Sequence, residues 1–546
     1  MKTLKLLKVL QYSLLAILDE RTAYRRKQAD GLRGERHPPQ RTKSTHAGFS
    51  QEQLCSNFGM KTRESNSGAT EGTSNQLGHS LETRHLTMMG LGSAIGAGLF
   101  LGTGVGIQAA GPAVLLSYIV AGIVVIAVMQ MLGELAAARP ASGTFATYGQ
   151  MAFGRWNGFA LGWLYWFMLI MVMGAEITGA GAIMGAWFGV EGWIPGLVCV
   201  VLFTIVNLAG VRGFGEFEYW FAFIKVAVII IFLVIATGLL LGLFPNYDSP
   251  GLSHFSDFAP NGISGMAVGL LAVAFAFGGI EIVTIAAAES KDPANSIAAA
   301  VRAVIWRISV FYLGSVFLIS ALLPFETLGE AESAEESPFT RILALAQIPG
   351  IVEIMEAVIV LALLSAFNAQ IYATSRLMYS FSQERNVPRW FGKTNAQKVP
   401  YRAVWCSLFF AFVSVALQVW GPENLINILF NAVGGTLLVI WMVIVLAQIK
   451  LRPTFERDGS LTVRMVGYPV LSWLTFLALI ALTVLMLFDN SARLQVLTVT
   501  IAFVVLSLIG LVLQKAQGPQ QSDETADTAG TANTAGTTAT NSDPNA

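Results

Sequence analysis

Two apolar segments of this sequence are interrupted by clustered glycines. Residues 89–100 contain glycine at positions 90, 92, 96 and 98, and residues 275–284 contain Gly278 and Gly279 side by side. Because a glycine costs a helix about 1 kcal/mol relative to alanine, both segments are predicted to unwind locally. Amides freed by the first break suit a carboxylate, and carbonyls freed by the second suit an ammonium group. The predicted chemistry is therefore the binding of a small zwitterion.

The same glycines have a second interpretation, which is close packing between helices. Gly92 and Gly96 are four residues apart, the spacing of small residues at helix contacts in membranes. One cluster alone leaves both interpretations open. Two clusters, in the first and sixth spans, favour a substrate site, because paired broken helices of a five-plus-five inverted repeat have this spacing. The candidate substrate-binding residues are Ser93, Ala94, Ile95, Gly96, Ala97, Gly98, Phe275, Phe277, Gly278, Gly279 and Asn368.

Ionisable side chains at membrane depth are functional candidates by default, because they are expensive to place there. Lys225 in the fifth span can exchange a proton if it is dry in one state of a carrier and hydrated in another. The alternative is that its side chain extends to the cytoplasmic interface. Glu281, just after the second glycine pair, and Glu176 in the third span are further candidates for the proton. Asn368 is predicted either to face a cavity or to hydrogen-bond a neighbouring helix.

Other acidic residues have plainer expectations. Glu134, near the cytoplasmic end of the second span, is a weaker functional candidate, and the plainer expectation is that it pairs with Arg139. Glu353 and Glu356, at the outer start of the eighth span, are predicted to be solvated.

The composition places the elements that carry these residues in a membrane. Only 12% of the 546 residues are charged and 54% are hydrophobic, whereas a soluble domain has about 25% charged residues. Lys+Arg and Asp+Glu both number 34, so no basic field indicates a nucleic-acid partner. The three cysteines, Cys55, Cys199 and Cys406, have no paired spacing that indicates a disulfide or a metal site.

Long apolar runs predict an all-α membrane domain over residues 86–513. Most runs have the roughly 20 residues needed to cross about 30 Å of hydrocarbon, and only helices satisfy the backbone in runs of this length. Twelve runs are predicted to span the bilayer: 86–108, 112–137, 158–188, 193–210, 216–242, 264–288, 303–323, 350–381, 404–420, 424–448, 467–488 and 494–513.

Polar segments flank this domain. Residues 1–85 and 514–546 are predicted to be disordered cytoplasmic segments. The apolar patch 4–18 is a poor signal peptide, because Lys8, Gln11 and Tyr12 interrupt it and no small-residue cleavage site follows. Met60 begins a shorter polar leader, so the native chain is expected to start there or to carry a dispensable extension.

The distribution of Lys and Arg predicts the orientation in the plasma membrane. Loops after odd-numbered spans contain Arg341 and Arg493 alone, so the loops after even-numbered spans and both termini are expected to be cytoplasmic. The basic residues after even-numbered spans are Arg139, Arg155, Arg212, Lys291, Arg302, Arg385, Arg389, Lys393, Lys398, Arg402, Lys450, Arg452, Arg457 and Arg464.

Five motifs spread over residues 84–515 resemble the amino-acid permeases of the amino acid–polyamine–organocation superfamily. The resemblance is closest to the bacterial aromatic amino-acid permeases of actinobacterial type, and γ-aminobutyrate permeases are similar at the sixth and seventh spans. The motifs are SAIGAGLF at 93–100, GELAAARPASGTF at 133–145, FGEFEYW at 214–220, FGGIEIV at 277–283 and AQIYATSR at 369–376.

This resemblance implies proton symport of an amino acid on twelve helices, of which the first ten form the repeat. It places a proton-responsive lysine in the fifth helix, at Lys225, and an aromatic gate in the sixth, at Phe275. The substrate is expected to be aromatic, with γ-aminobutyrate or another neutral amino acid as the alternative. No cofactor is expected.

Other classes of membrane protein fit less well. A channel is the main alternative, but no carbonyl or charge motif repeats around an axis. A nucleotide-driven pump is not indicated, because Gly392-Lys393 lacks the upstream glycine of a phosphate-binding loop. An enzyme is not indicated either, because none of the histidines is at mid-membrane depth; these are His37, His46, His79, His85 and His254.

Overall fold

A computed structural model shows the chain as a bundle of helices. Segments 1–85 and most of 514–546 lie outside the part that it describes. The described residues are 87–88, 92, 95–139, 144–209, 211–278, 293–328, 337–384, 386–395, 398–421, 425–488 and 490–517.

None of the described residues is in a strand. Sixteen α-helices lie in these residues. They are α1 (Ala97–Phe100), α2 (Gly102–Ala110), α3 (Val114–Ala138), α4 (Thr144–Phe153), α5 (Arg155–Phe188), α6 (Trp193–Ala209), α7 (Val211–Leu240), α8 (Gly262–Ala276), α9 (Pro293–Trp306), α10 (Leu313–Leu322), α11 (Pro338–Leu345), α12 (Ile351–Gln383), α13 (Tyr401–Trp420), α14 (Leu425–Arg457), α15 (Val470–Met486) and α16 (Asn490–Gln517). A π-helical turn, Arg307–Tyr312, joins α9 to α10.

In the residues that the structure describes, each of the twelve predicted spans contains helix. Eight helical stretches of the described residues are long and apolar enough to cross a membrane. The first of these, Ala97–Ala138, contains the second part of the first span and all of the second span, and α6 and α15 are shorter apolar helices. The sixth span begins as α8, and its continuation after Gly278 lies outside the described residues. The all-α polytopic fold is therefore confirmed.

The third span, α5, lies at the centre of the packing. It packs against α6, α12, α13, α14 and α16. In an apolar stretch of 18 residues within α5, 83% of the residues are buried in protein. In the corresponding stretch of the last helix, α16, 17% are buried. Side chains from α5 therefore face protein on nearly every side, whereas α16 has most of its surface turned outward.

Glu134 pairs with a different arginine from the one predicted. The carboxylate accepts hydrogen bonds from Arg452 Nη1 at 3.0 Å, from Gln448 Nε2 at 2.8 Å and from the Met465 amide at 2.6 Å. Arg139 instead lies 3.9 Å from Asp458, with both side chains about half exposed. The prediction of a Glu134–Arg139 pair was wrong, because the preferred partner comes from α14, far away in sequence. This network joins the end of the second span to the tenth span and the loop after it.

Replacing Glu134 with Ala is expected to destabilise the fold by about 3 kcal/mol, because it removes one partner of a buried ion pair. Glu456, which lies 3.2 Å from Arg452 and is partly exposed, then remains as the acidic partner. Thermal unfolding of the purified protein in detergent measures the effect. Arg139→Ala is the matched control and should change stability by less than about 1 kcal/mol. Equal unfolding temperatures for the two variants would contradict the role of the buried network.

Candidate functional site

The first span unwinds at the first glycine cluster. Gly92 is helical, Ile95 and Gly96 are not, and helix resumes at Ala97. Gly96 has φ −150° and ψ −144°, far from helical values. The break leaves backbone groups without the usual helical hydrogen bonds. These groups are inside the protein, because Ile95 and Gly96 are both buried. Local unwinding was the prediction for this segment, and the described residues agree with it.

Lys225 binds the carbonyls at this break. Its Nζ donates hydrogen bonds to the Gly92 carbonyl at 2.9 Å and to the Ile95 carbonyl at 3.2 Å, and the side chain has 0% exposure. Helix α7 begins at Val211, so Lys225 lies about 21 Å along it. Its ammonium group therefore lies at the broken first span, in the interior of the protein.

Glu176 binds the opposite side of the same break. Its two carboxylate oxygens accept the Ala97 N–H at 3.1 and 3.2 Å, and the residue is 4% exposed. A Cβ added at Gly96 would lie 2.4 Å from Glu176 Oε1, so a side chain there would displace this carboxylate. Glu176 thus already occupies an amide of the kind predicted to hold a substrate carboxylate.

Two further charged residues belong to this buried cluster. Glu218 and Arg307 both have 0% exposure, and their charges, like that of Glu176, interact with Lys225. Ser365 Oγ donates to both oxygens of Glu218, at 3.0 and 3.1 Å. The cluster therefore contains two acids and two bases, contributed by α5, α7 and the π-helical turn.

The sixth span stops being helical at the second glycine cluster. Helix α8 ends at Ala276, and Phe277 and Gly278 form a turn. The Phe277 ring lies 5.9 Å from that of Tyr118 and 5.2 Å from that of Tyr312, centroid to centroid. The described contacts of Phe277 are thus with the second and seventh spans, and its contact with substrate stays a prediction.

The first and sixth spans also pack closely through glycines other than those predicted. A Cβ added at Gly265 would lie 2.3 Å from the Ala109 carbonyl oxygen, and one at Gly269 would lie 3.0 Å from Ala110 Cβ. These glycines of α8 let it approach α2. The packing role considered for Gly92 applies as well, because a Cβ there would lie 2.4 Å from Ala222 Cβ.

Polar residues of the eighth span have partners on neighbouring helices. Asn368 is fully buried, and its Oδ1 accepts a hydrogen bond from Asn207 Nδ2 at 2.7 Å. This is the helix-to-helix bond considered for Asn368, while its Nδ2 has no hydrogen-bond partner among the described residues. Glu356 is 6% exposed and accepts from Trp187 Nε1 at 3.1 Å. The expectation that Glu356 is solvated was wrong, because α5 covers it.

Several candidate residues cannot be placed in this geometry. Ser93, Ala94, Gly279, Glu281 and the side chain of Phe275 lie outside the described residues. Gly98 is described and is buried within α1.

Comparison with known proteins identifies the family. The sequence model of the family described as "Amino acid permease" matches residues 85–517. The chain belongs to the amino acid permease family. It is 64% identical, over 80% of its length and 95% of the relative, to the aromatic amino acid transport protein AroP of Corynebacterium glutamicum. It is 38% identical to the γ-aminobutyric acid permease of Bacillus subtilis, over 76% of its length and 88% of the relative. The γ-aminobutyric acid permease of Escherichia coli is also 38% identical, over 78% of the chain and 91% of the relative.

As a member of this family, the permease is a multi-pass membrane protein that transports amino acids and is not an enzyme. The charged cluster contacts the broken first span in two ways, with an ammonium group on carbonyls and a carboxylate on an amide. Lys225 and Glu176 were predicted from the sequence, whereas Glu218 and Arg307 were not. The rule that intramembrane charges are functional candidates applies equally to these two residues and would have found them.

Proposed function

We propose that this permease carries aromatic amino acids inward across the plasma membrane together with a proton. In this proposal both termini are cytoplasmic, and the first ten of twelve helices form a five-plus-five inverted repeat. The aromatic transport protein AroP of C. glutamicum, at 64% identity, supports the substrate class. The excess of Lys and Arg in the loops after even-numbered spans supports the orientation.

Proton coupling is carried by one observation, the position of Lys225. A fully buried ammonium group bonds two carbonyls of the unwound first span. If the ammonium group loses a proton, the resulting amine donates fewer hydrogen bonds and carries no charge. Lys225 then binds the first span less strongly. The protonation state of Lys225 then biases the first span between two positions, which is what a carrier requires of its coupling ion. Glu176 and Glu281 are the further candidates for the proton.

The substrate site is proposed at the two helix breaks. Ser93 to Gly98 supply backbone groups from the first span, Phe275 to Gly279 supply the sixth-span wall, and Asn368 adds a polar group from the eighth. The break at Ile95 and Gly96 and the end of α8 at Ala276 support this placement. The unpartnered Asn368 Nδ2 supports it too, since a buried donor is costly to leave unpaired.

Uptake into proteoliposomes tests the proposal. Labelled phenylalanine should accumulate in a saturable manner under an inward proton gradient, and unlabelled tyrosine and tryptophan should compete. The γ-aminobutyrate alternative, favoured by the two relatives at 38% identity, predicts strong γ-aminobutyrate uptake without competition by phenylalanine. Uptake that fails to saturate would instead identify a channel.

Phe275→Ala is expected to weaken phenylalanine binding more than alanine binding. An aromatic contact with the substrate ring is worth about 1 kcal/mol, so the half-saturation constant for phenylalanine should rise about fivefold relative to that for alanine. The measurement is uptake of both labelled amino acids by the two proteins at matched expression. Equal changes for the two substrates would show that Phe275 makes no contact specific to the ring.

A further inference from the structure

Glu218 is a buried carboxylate that has no role in the proposed transport cycle. It has 0% exposure, and among the described residues its hydrogen-bond donor is Ser365 Oγ, shared between its two oxygens. An ionised carboxylate inside a protein needs a counter-charge or several donors to offset its lost hydration. One neutral hydroxyl does not meet that need, so the charge on Glu218 depends on the charge of a neighbour.

Lys225 is that neighbour. The two residues are seven apart on α7, which places them on the same face two turns apart. The Glu218 and Glu176 carboxylates attract the Lys225 ammonium group, and the Arg307 guanidinium repels it. Tyr312, near Arg307 and Glu176, completes the ionisable groups that face this cluster in the described residues.

The Lys225 side chain leans toward Glu218. Helical side chains point toward the N-terminus of their helix, and the nitrogen reaches the Gly92 carbonyl. Gly92 packs against Ala222, which is one turn below Lys225 and one turn above Glu218. The ammonium group therefore lies about one turn, or about 5 Å along the axis, from the backbone of Glu218, and a proton can cross the remaining distance to the carboxylate through water.

We propose that Glu218 receives the proton that Lys225 releases and passes it toward the cytoplasm. In this step one N–H bond of the Lys225 ammonium breaks and one O–H bond forms on the Glu218 carboxylate. An ion pair thus becomes a neutral amine and a neutral acid, and no charge is left unpaired. Glu218 lies nearer the start of α7, which is its cytoplasmic end in the proposed orientation. The inference deepens the proposed function and rests on it, because it presupposes a proton on Lys225.

The Glu218→Gln variant tests this relay in proteoliposomes that contain a pH-sensitive dye. Glutamine keeps the shape and the bond to Ser365 but cannot take up the proton. Proton-driven phenylalanine accumulation should fall about a hundredfold, the usual contribution of a positioned proton acceptor. Protons entering per phenylalanine should fall toward zero, while phenylalanine exchange continues. Glu218→Asp, which restores the acid, should restore proton entry.

The matched control is Glu356→Gln, which alters another buried glutamate, one that accepts from Trp187 and lies outside the cluster. It should keep the wild-type ratio of protons to phenylalanine. A wild-type ratio in Glu218→Gln would overturn the relay and leave the proposed function standing. Absence of phenylalanine-induced proton entry in the wild type would overturn both.

Ser365→Ala keeps the test decisive if Glu218→Gln folds poorly. Without the hydroxyl that stabilises its carboxylate, Glu218 holds its proton more tightly and releases it only into a more alkaline interior. The internal pH for half-maximal uptake should therefore rise relative to wild type. An unchanged internal pH profile in folded Ser365→Ala would contradict the relay.

Discussion

Lys225→Met should abolish proton-driven accumulation of phenylalanine and leave exchange of phenylalanine across the membrane. Methionine has similar length but cannot donate to the Gly92 and Ile95 carbonyls, which Lys225 binds at 2.9 and 3.2 Å. The first span then loses the contact whose strength depends on protonation. Exchange needs no net proton movement, so it continues. The measurement is net uptake against external pH in both proteins, with exchange assayed beside it.

The expected signature is a flat pH profile. Wild-type uptake should rise as external pH falls, because Lys225 takes up its proton from the outside in the proposed cycle, and this rise should disappear in Lys225→Met. An unaltered pH profile would show that Lys225 only packs against the first span. Glu176 or Glu281 would then be the next candidates for the proton.

One other group requires a control in that experiment. Glu384 follows α12, on the side proposed to face the cytoplasm, and burial raises its pKa to about 7. It therefore titrates in the range used for the assay. Its Oε2 accepts from Asn386 Nδ2 at 3.0 Å, and it lies far along the chain from the helix breaks. Glu384→Gln should keep the wild-type dependence on external pH, so that loss of this dependence can be attributed to Lys225.

Gly96→Leu should eliminate substrate binding while the protein still inserts into the membrane. The space a side chain would enter at this position is already filled by the Glu176 carboxylate, 2.4 Å from the nearest Cβ position. A leucine displaces this carboxylate from the Ala97 amide and fills the break. Binding of labelled phenylalanine to purified protein, together with yield after solubilisation, measures the two effects separately.

Substitutions with alanine distinguish an effect specific to Gly96 from a general effect of adding a methyl group to a helix. Gly96→Ala moves the flexible end of Glu176 and breaks its hydrogen bond, so phenylalanine binding should weaken measurably. Gly196→Ala is the matched control on α6, where the nearest atom to an added Cβ is 3.8 Å away, and it should bind as wild type does. Uptake with an unchanged half-saturation constant in Gly96→Leu would show that Gly96 serves helix packing alone.

The spans and the first helix break could be predicted because they depend on local composition. The described parts of all twelve apolar runs contain helix, and the first run is unwound at Ile95 and Gly96. The buried position of Lys225 followed less directly, because the sequence left open whether it extends to the interface. In the structure the lysine is fully buried and bonds the first span, a contact between helices that a single sequence does not show.

Charge partners could not be predicted in this way. Glu134 bonds Arg452 across 318 residues, and Glu356 bonds Trp187 across 169. Such pairs depend on how helices pack, which a single sequence does not show. Local spacing instead favoured the nearest arginine, Arg139, five residues from Glu134. Glu218 and Arg307 lie within predicted spans and could have been named as candidates from the sequence, but only the packing of the helices brings Arg307 close to Lys225.

Helix α5 is surrounded by protein, whereas α16 faces outward. This difference determines which positions tolerate substitution. The interior around α5 is close-packed, so adding or removing one methylene group there changes the packing of several helices. Along α16, fluid acyl chains adjust to whatever shape the side chains present, and only the overall apolar character must be kept. Exchanges among Leu, Val and Ile should therefore accumulate in α16 over evolution, and cysteine labels for spectroscopy are best placed there.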